Sequence, residues 1–298
     1  MAEIKDSRFR VVGAGWQKAA PSAPHHKRAK RLPIVSLLLL TSVILGCLFA
    51  PLLVNHDPQA FYLDSLNEPP SRIFYFGTDA LGRDLYAMIW YGGRVSIAVG
   101  LMGMSIISVI GIVYGCVSGL ASERIDAVLM RMVELMNSIP QLLLVLLLGA
   151  VVPKHNSFTL ALLIGITGWF DLARLVRSEV RRIRSCEYLL AARYMGVRFD
   201  RLLLVYLLPN LLPTILFPII SSVSLSISME STLSFLGLGL PVEVVSWGSM
   251  LSLANRALLL NTWWVIVIPG IFLLATIGCI TSIGNYFRKE IHSSCSNL

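Results

Sequence analysis

The chain has 298 residues, of which 55% are hydrophobic and 14% charged, and its net charge is +8. Soluble domains carry about 25% charged residues, so this composition and the mean hydropathy of +0.72 exclude an ordinary water-soluble domain. A positive net charge can indicate nucleic-acid binding. Here the basic residues are distributed as in a membrane protein, and we expect no nucleic-acid partner.

Six apolar runs are long enough to cross a bilayer core of about 30 Å as helices. Inside the bilayer, backbone polar groups have to be satisfied within their own segment, which favours helices over open strands. The sequence therefore predicts an all-α membrane protein with about six transmembrane helices. The predicted spans lie near 32–54, 95–121, 128–152, 160–176, 203–229 and 263–287.

The basic residues indicate how the chain is oriented. Of the 25 Lys and Arg residues, 20 fall in segments that six spans place on one side of the membrane. The positive-inside rule makes that side the cytosol. We therefore expect a basic cytosolic tail at 1–31, a core of five helices at 95–287 and a second cytosolic tail at 288–298.

The segment 55–94 is predicted to lie outside the cytosol. A stretch from Thr78 or Asp79 to Tyr91 is rich in apolar and aromatic residues and predicts a short helix at the headgroup interface. Two roles remain open for this helix. It either anchors the chain at the interface, or it forms a lid or a contact surface for another protein.

The spans lack the residues that chemistry inside a membrane needs. All five histidines lie outside them, and no HExxH, GxSxG or GxxxxGK[ST] motif occurs. The sequence therefore predicts no catalytic, metal or cofactor site, and it makes a membrane enzyme the weaker alternative. Glu134 and Asp171 near the cytosolic ends, and Glu230 near the outer end of span five, either mark a pathway or pair with nearby arginines.

The cytosolic segment 177–202 predicts a surface for a partner. Its arginines extend span four into water, and residues 185–196 then form a short helix with Ser185 as its cap and Gly196 at its end. A helix of roughly eleven residues is marginal alone in water, so something has to hold it. It either docks into a groove of a partner or lies on the membrane surface.

The segment 231–262 is too interrupted by glycine and proline for a span, yet Leu233 to Leu240 is too apolar for an exposed loop. A re-entrant segment buried among helices satisfies both facts. Such a segment would narrow the outer mouth of a pathway, although packing alone explains the glycines equally well. The pathway or gate candidates are Glu230, Ser234, Phe235, Gly237, Gly239 and Trp247.

Residues 187–209 resemble the coupling loop of ABC importer permeases, in which an alanine pair precedes a glycine and then Leu-Pro. The matching residues are Ala191, Ala192, Gly196, Leu208 and Pro209. Glu187 and Tyr188 fit the dipeptide, oligopeptide and nickel permeases, and specifically the second of their two subunit types. Leu190 departs from the family, where an acid is frequent, and Tyr206 departs where histidine is common.

Further stretches resemble the same family in the same order. They are Phe76 to Asp84, Gly92 to Ser96, Ser138 to Pro140, Leu233 to Gly239 and Ser246 to Gly248, with a looser match from Gly284 to Arg288. The resemblance implies the type I importer permease fold with both termini cytosolic, in a prokaryotic plasma membrane. It also implies a heterodimer with a sister permease, cytosolic ATPase subunits that bind ATP and Mg, and an extracytoplasmic binding protein.

The resemblance also assigns expected roles to residues. Coupling to the ATPase is expected of Glu187, Tyr188, Leu189, Ala191, Ala192, Met195, Gly196, Leu208 and Pro209. Contact with the binding protein is expected of Gly77, Thr78, Asp79, Gly82, Arg83 and Asp84. Short peptides are the leading substrate class, with nickel or a metal-metallophore complex as the alternative. A membrane receptor or scaffold without transport is the alternative of another class.

Overall fold

The computed structural model describes residues 33–152, 156–185, 194–197, 208–241 and 243–295. Within these ranges the regular structure is helical, and an isolated bridge pairs Thr78 with Asp84. In chain order the helices are α1 (Ile34–Leu48), α2 (Ala50–Leu53), α3 (Leu85–Leu120), α4 (Glu123–Asn137), α5 (Gln141–Val151), α6 (Ser157–Gly168), α7 (Phe170–Arg184), α8 (Leu208–Phe235), α9 (Trp247–Leu251), α10 (Ala254–Leu259) and α11 (Trp264–Cys295).

Three of these helices, α3, α8 and α11, are long and apolar enough to cross a membrane. Two bent pairs, α4 with α5 and α6 with α7, raise the number to five if each pair is one span. Helix α1 is apolar but has only 15 residues. The multi-span helical architecture is therefore confirmed, whereas the count of six spans and the cytosolic termini stay predictions.

The third predicted span is not one continuous helix. Helices α4 and α5 meet at an angle of 86°. The break includes Pro140, which has no backbone N–H to donate to a helix and cannot continue one. The family resemblance at Ser138 to Pro140 implies a kink in this span, and the structure has a sharp corner there. The fourth predicted span is also bent, by 46°, between α6 and α7.

The predicted interfacial helix from Thr78 or Asp79 to Tyr91 is wrong. The helix begins at Leu85 and continues without interruption to Leu120 as the 36-residue α3. Its cap is Asp84, whose side chain accepts a hydrogen bond from the Tyr86 N–H at 3.0 Å. Gly82, with a φ of +74°, makes the turn that precedes this cap, so a helix cannot begin earlier.

Helix α3 is the centre of the fold because glycines let two other helices approach it closely. Gly111, Gly115 and Gly119 recur every four residues and therefore line one face, which contacts α7. A Cβ atom on Gly115 would lie 2.6 Å from the Val176 Cβ and 2.7 Å from the Ala173 carbonyl oxygen. Gly103 approaches Ser226 of α8 in the same way.

Two apolar clusters flank α3. The first joins α3, α7 and α8, with Ile107, Val176, Val180 and Ile215 among its buried members. The second joins α1, α3, α9 and α11 around Trp247, which is fully buried. Helix α8 continues to Phe235, so the first residues of the predicted re-entrant segment 231–262 belong to it, and α9 and α10 follow. Whether that segment enters the bilayer stays a prediction.

Candidate functional site

The predicted coupling residues are only partly within the described ranges. Glu187, Tyr188, Leu189, Ala191 and Ala192 lie outside them. The residues that follow are described, and Tyr194 and Met195 are 89% and 74% exposed, which is unusual for large apolar side chains. Gly196 has a φ of +75°, the left-handed conformation that the sequence predicts at the end of the short helix.

The chain on both sides of this segment is anchored to the core. Before it, the Arg184 guanidinium donates to the Leu120 and Ala121 carbonyl oxygens at 3.4 and 3.3 Å. Those carbonyls end α3, where a positive charge is favourable. After it, Val197 packs against the apolar cluster of α3, α7 and α8. Leu208 and Pro209 then begin α8, with Leu208 half-buried and Pro209 exposed.

An ion cluster around the buried Asp126 lies one to two turns before Arg184. The Asp126 carboxylate of α4 accepts from the Arg177 Nε at 2.6 Å and lies 2.6 Å from the Arg181 guanidinium, both on α7. The Ser118 hydroxyl of α3 donates to the same carboxylate at 2.5 Å. The Asp126 carboxylate is thus surrounded by donors from α3 and α7.

The six residues predicted to contact a binding protein are all buried. Asp79 accepts hydrogen bonds from the Leu81 and Arg83 backbone N–H groups, both at 2.9 Å, and from the Arg83 guanidinium at 2.8 Å. Gly77 approaches the Glu68 carbonyl so closely that a Cβ would lie 2.6 Å from its oxygen. In this structure these residues hold the outer segment together, and their contact with a binding protein stays a prediction. Their exposed neighbour is Leu81.

Two of the six also connect the outer segment to helices. The Asp84 carboxylate, besides capping α3, lies 2.9 Å from the His56 Nδ1. The Thr78 carbonyl oxygen accepts from the Trp264 indole N–H at 3.1 Å, which joins the segment to the start of α11. The outer segment is thus a fixed part of the fold around α3 and α11.

The predicted gate residue Glu230 is fully buried in α8 and surrounded by hydroxyl groups. Its carboxylate accepts from Ser246 at 2.8 Å, Ser234 at 3.0 Å and Ser96 at 3.1 Å, and lies 3.4 Å from the Ser231 hydroxyl. The Ser96 oxygen accepts from the Trp247 N–H, and the Ser246 oxygen accepts from the Ser249 N–H. Each of these hydroxyls therefore keeps its proton available to donate to the Glu230 carboxylate, which accepts in the arrangement shown.

The other gate candidates separate into two groups. Trp247 is buried, and its indole N–H donates to the Ile89 carbonyl oxygen at 2.9 Å. Gly239 lies against Ser234, where a Cβ would be 2.2 Å from the hydroxyl oxygen. Phe235 and Gly237 are exposed and do not join the Glu230 cluster. The structure therefore brings Glu230, Ser234, Gly239 and Trp247 together as a joint between α3, α8 and α9.

Replacing Glu230 with glutamine should destabilise this joint. The amide N–H₂ cannot accept a hydrogen bond, so at least one hydroxyl loses its acceptor, at a cost of about 1–3 kcal/mol. Thermal unfolding of the purified chain in detergent measures the loss. Ser224→Ala is the control, because the buried Ser224 hydroxyl has no hydrogen-bond partner among the described residues. Equal stability of Glu230→Gln and the wild type would contradict the acceptor role of Glu230.

Sequence reasoning missed most partners of these clusters. Ser234 lies four residues after Glu230, which is a local helical signal, but Ser96 lies 134 residues away. Asp126 and Arg177 lie 51 residues apart and showed no pattern in the sequence. Within the described ranges, no group of three His, Cys, Asp or Glu side chains is placed to hold a metal ion.

Comparisons with known proteins place the chain in a family. A family model described as a binding-protein-dependent transport system inner membrane component matches residues 111–292. The chain is 36% identical to the oligopeptide transport system permease protein OppC of Bacillus subtilis (strain 168), over 86% of this chain and 82% of that protein. It is 35% identical to the dipeptide transport system permease protein DppC of the same strain, over 89% and 82% of the two chains.

A third relative is the probable D,D-dipeptide transport system permease protein DdpC of Escherichia coli (strain K12), which is 34% identical over 91% of this chain and 88% of that protein. The family resemblance inferred from the ordered motifs is thereby confirmed over most of the chain. This chain is a multi-pass membrane protein that belongs to the family of binding-protein-dependent transport system inner membrane components.

Proposed function

We propose that this chain is one permease subunit of an ATP-driven importer of dipeptides or oligopeptides, and that it is coupled to a cytosolic ATPase through residues 187–196. The observation that carries the proposal is the exposed pair Tyr194 and Met195, which stands between two anchored ends of the chain. Exposed apolar side chains at a fixed position suit a groove in a partner protein.

The remaining subunits follow from what this chain lacks. It shows no phosphate-cradling motif in its sequence, so ATP and Mg would bind to partner subunits. A sister permease would complete the pathway, and an extracytoplasmic binding protein would deliver the substrate. This chain would itself be non-catalytic and lie in the inner membrane with both termini in the cytosol.

Peptides are the proposed substrate class because the relatives at 34–36% identity are named for oligopeptides, dipeptides and D,D-dipeptides. Those names favour peptides over the nickel or metallophore alternative. Retention of a labelled dipeptide or oligopeptide by the partner binding protein would support this choice. Retention of nickel without binding of any peptide would contradict it.

Replacing Ala192 with arginine, or Met195 with glutamate, should abolish coupling without preventing insertion. A bulky charge in the docking surface cannot enter an apolar groove without a desolvation cost, so ATP-driven peptide uptake into proteoliposomes should fall by about tenfold or more. Ser178→Arg is the control for Ala192→Arg, because it adds the same charge at an exposed position of α7 before the segment.

The same measurement separates transport from the receptor or scaffold alternative. A wild-type complex that binds its partners but imports no peptide with ATP would contradict the proposed function. Full uptake by Ala192→Arg and Met195→Glu would contradict only the role of residues 187–196 in coupling.

A further inference from the structure

The ion cluster of Asp126 joins the helix that leads into the coupling segment to two other helices. Asp126 on α4 is 2% exposed and is held by Arg177 and Arg181 of α7 and by Ser118 of α3. Arg177 engages both carboxylate oxygens of Asp126 with its Nε and a terminal nitrogen. A two-point contact of this kind fixes the orientation of the two side chains as well as their distance.

Stability alone does not account for this arrangement. A buried ion pair is weak evidence for stability, because well-packed apolar side chains at the same place are often as good or better. Apolar packing between α4 and α7 is already present nearer the other end of α4, where Met130 and Val133 share a cluster with Phe170. The charged contact adds a specific, directional link at the end of α4 that lies beside Arg177.

The position of α4 gives this link a mechanical consequence. Helix α4 ends at Asn137, and the corner of 86° before α5 follows directly. Helix α7 ends at Arg184, directly before the coupling segment, and packs against the glycine face of α3 through Val176 and Val180. A rigid connection between α7 and α4 would therefore carry a displacement of the coupling segment to the corner at Pro140.

We propose that Asp126 is a positioning residue whose link to Arg177 and Arg181 makes α4 move with α7 when the ATPase displaces the coupling segment. This inference rests on the proposed function. When the link is intact, the distance between α4 and α7 is the same in every nucleotide state. Without the Asp126 charge, α7 still follows the ATPase but α4 lags behind, and ATP is hydrolysed with less transport.

Spin labels on the two helices test the link in the complete transporter. The labels are placed at the exposed positions Ala127 of α4 and Ser178 of α7, as Ala127→Cys and Ser178→Cys in a background without the five native cysteines. Double electron-electron resonance then gives their distance without nucleotide and with ATP trapped. The unlabelled transporter gives the number of ATP molecules hydrolysed per peptide imported.

With Asp126 present, one distance is expected in both nucleotide states. In Asp126→Asn, the distance should broaden or shift by about 2 Å on ATP trapping. The ATP hydrolysed per imported peptide should rise by about tenfold in the same variant. Glu179→Gln is the matched control, because it removes a carboxylate that pairs with Arg182 inside α7 and links no other helix through that pair.

Equal distances in Asp126→Asn and the wild type, in both states, would overturn the proposal. If Asp126→Asn does not assemble, Arg181→Gln replaces it, because it keeps the Arg177 contact. The shift in label distance and the rise in ATP hydrolysed per peptide should then be smaller. An unchanged distance in Arg181→Gln would also overturn the proposal. Absence of ATP-driven uptake by the wild type would contradict the proposed function instead. The distance comparison would still be readable in that case.

Discussion

Gly115→Leu should prevent α3 and α7 from packing and should cost about 3 kcal/mol or more of stability, at the upper end of what overpacking usually costs. Even the first added atom would lie 2.6 Å from the Val176 Cβ and 2.7 Å from the Ala173 carbonyl oxygen. The second of these atoms belongs to the backbone of α7 and cannot rotate away. Helix α7 would have to shift as a whole, and with it Arg177 and Arg184, which anchor α7 before the coupling segment.

The measurement is the thermal unfolding temperature of the purified chain in detergent, together with its yield from membranes. Gly278→Leu is the control, since a Cβ at Gly278 has nothing within 4 Å and Leu is the better helix former. The control should unfold at the wild-type temperature or above it. A Gly115→Leu chain as stable as Gly278→Leu would show that α3 and α7 do not need this close approach.

Asp79→Ala should cost about 3–5 kcal/mol, because it leaves the Arg83 guanidinium without the carboxylate that pairs with it inside the protein. Arg83 is 8% exposed and Asp79 is fully buried. The Asp79 carboxylate also accepts the Leu81 and Arg83 backbone N–H groups, so the turn before α3 loses its fixed shape. Protease cleavage of the outer segment in right-side-out vesicles, together with thermal unfolding, would measure the loss.

Two further variants make the Asp79 experiment specific. Asp64→Ala removes an exposed carboxylate from the same outer segment and should be neutral. Adding Arg83→Met to Asp79→Ala should restore part of the stability, because the buried charge is then gone. If Arg83→Met lowered the stability of the Asp79→Ala chain as much as it lowers that of the wild type, the two side chains would act independently. That result would contradict the pairing.

The family and the helical character of the chain could be predicted from sequence for a physical reason. Partition of an apolar stretch into a bilayer depends mainly on its own residues, so each predicted span contains or overlaps a helix of the structure. The left-handed Gly196 and the break at Pro140 are also local, because each follows from the backbone chemistry of one residue. The shape of the corner at Pro140 was not predicted.

The roles given to particular side chains needed the tertiary structure. Thr78 and Asp79 look like an outer-face signature in the sequence, and their burial is visible only when α11 brings Trp264 against the segment. Glu230 looks like a gate residue, and its place in a joint depends on Ser96 from α3 and Ser246 before α9. The hydropathy of the sequence predicts neither the contact of Trp264 with the outer segment nor the contacts of Ser96 and Ser246 with Glu230.

The residue pattern alone was enough to identify a multi-span helical membrane protein of a permease family. The sidedness of its basic residues and the short helix at 185–196 stay predictions. The contacts of Asp126 with Arg177 and Ser118, and the packing of α7 against the glycines of α3, are visible only in the folded chain. The reason is that insertion is a property of single segments, whereas a buried polar group or a close helix contact exists only where two distant segments supply its two halves.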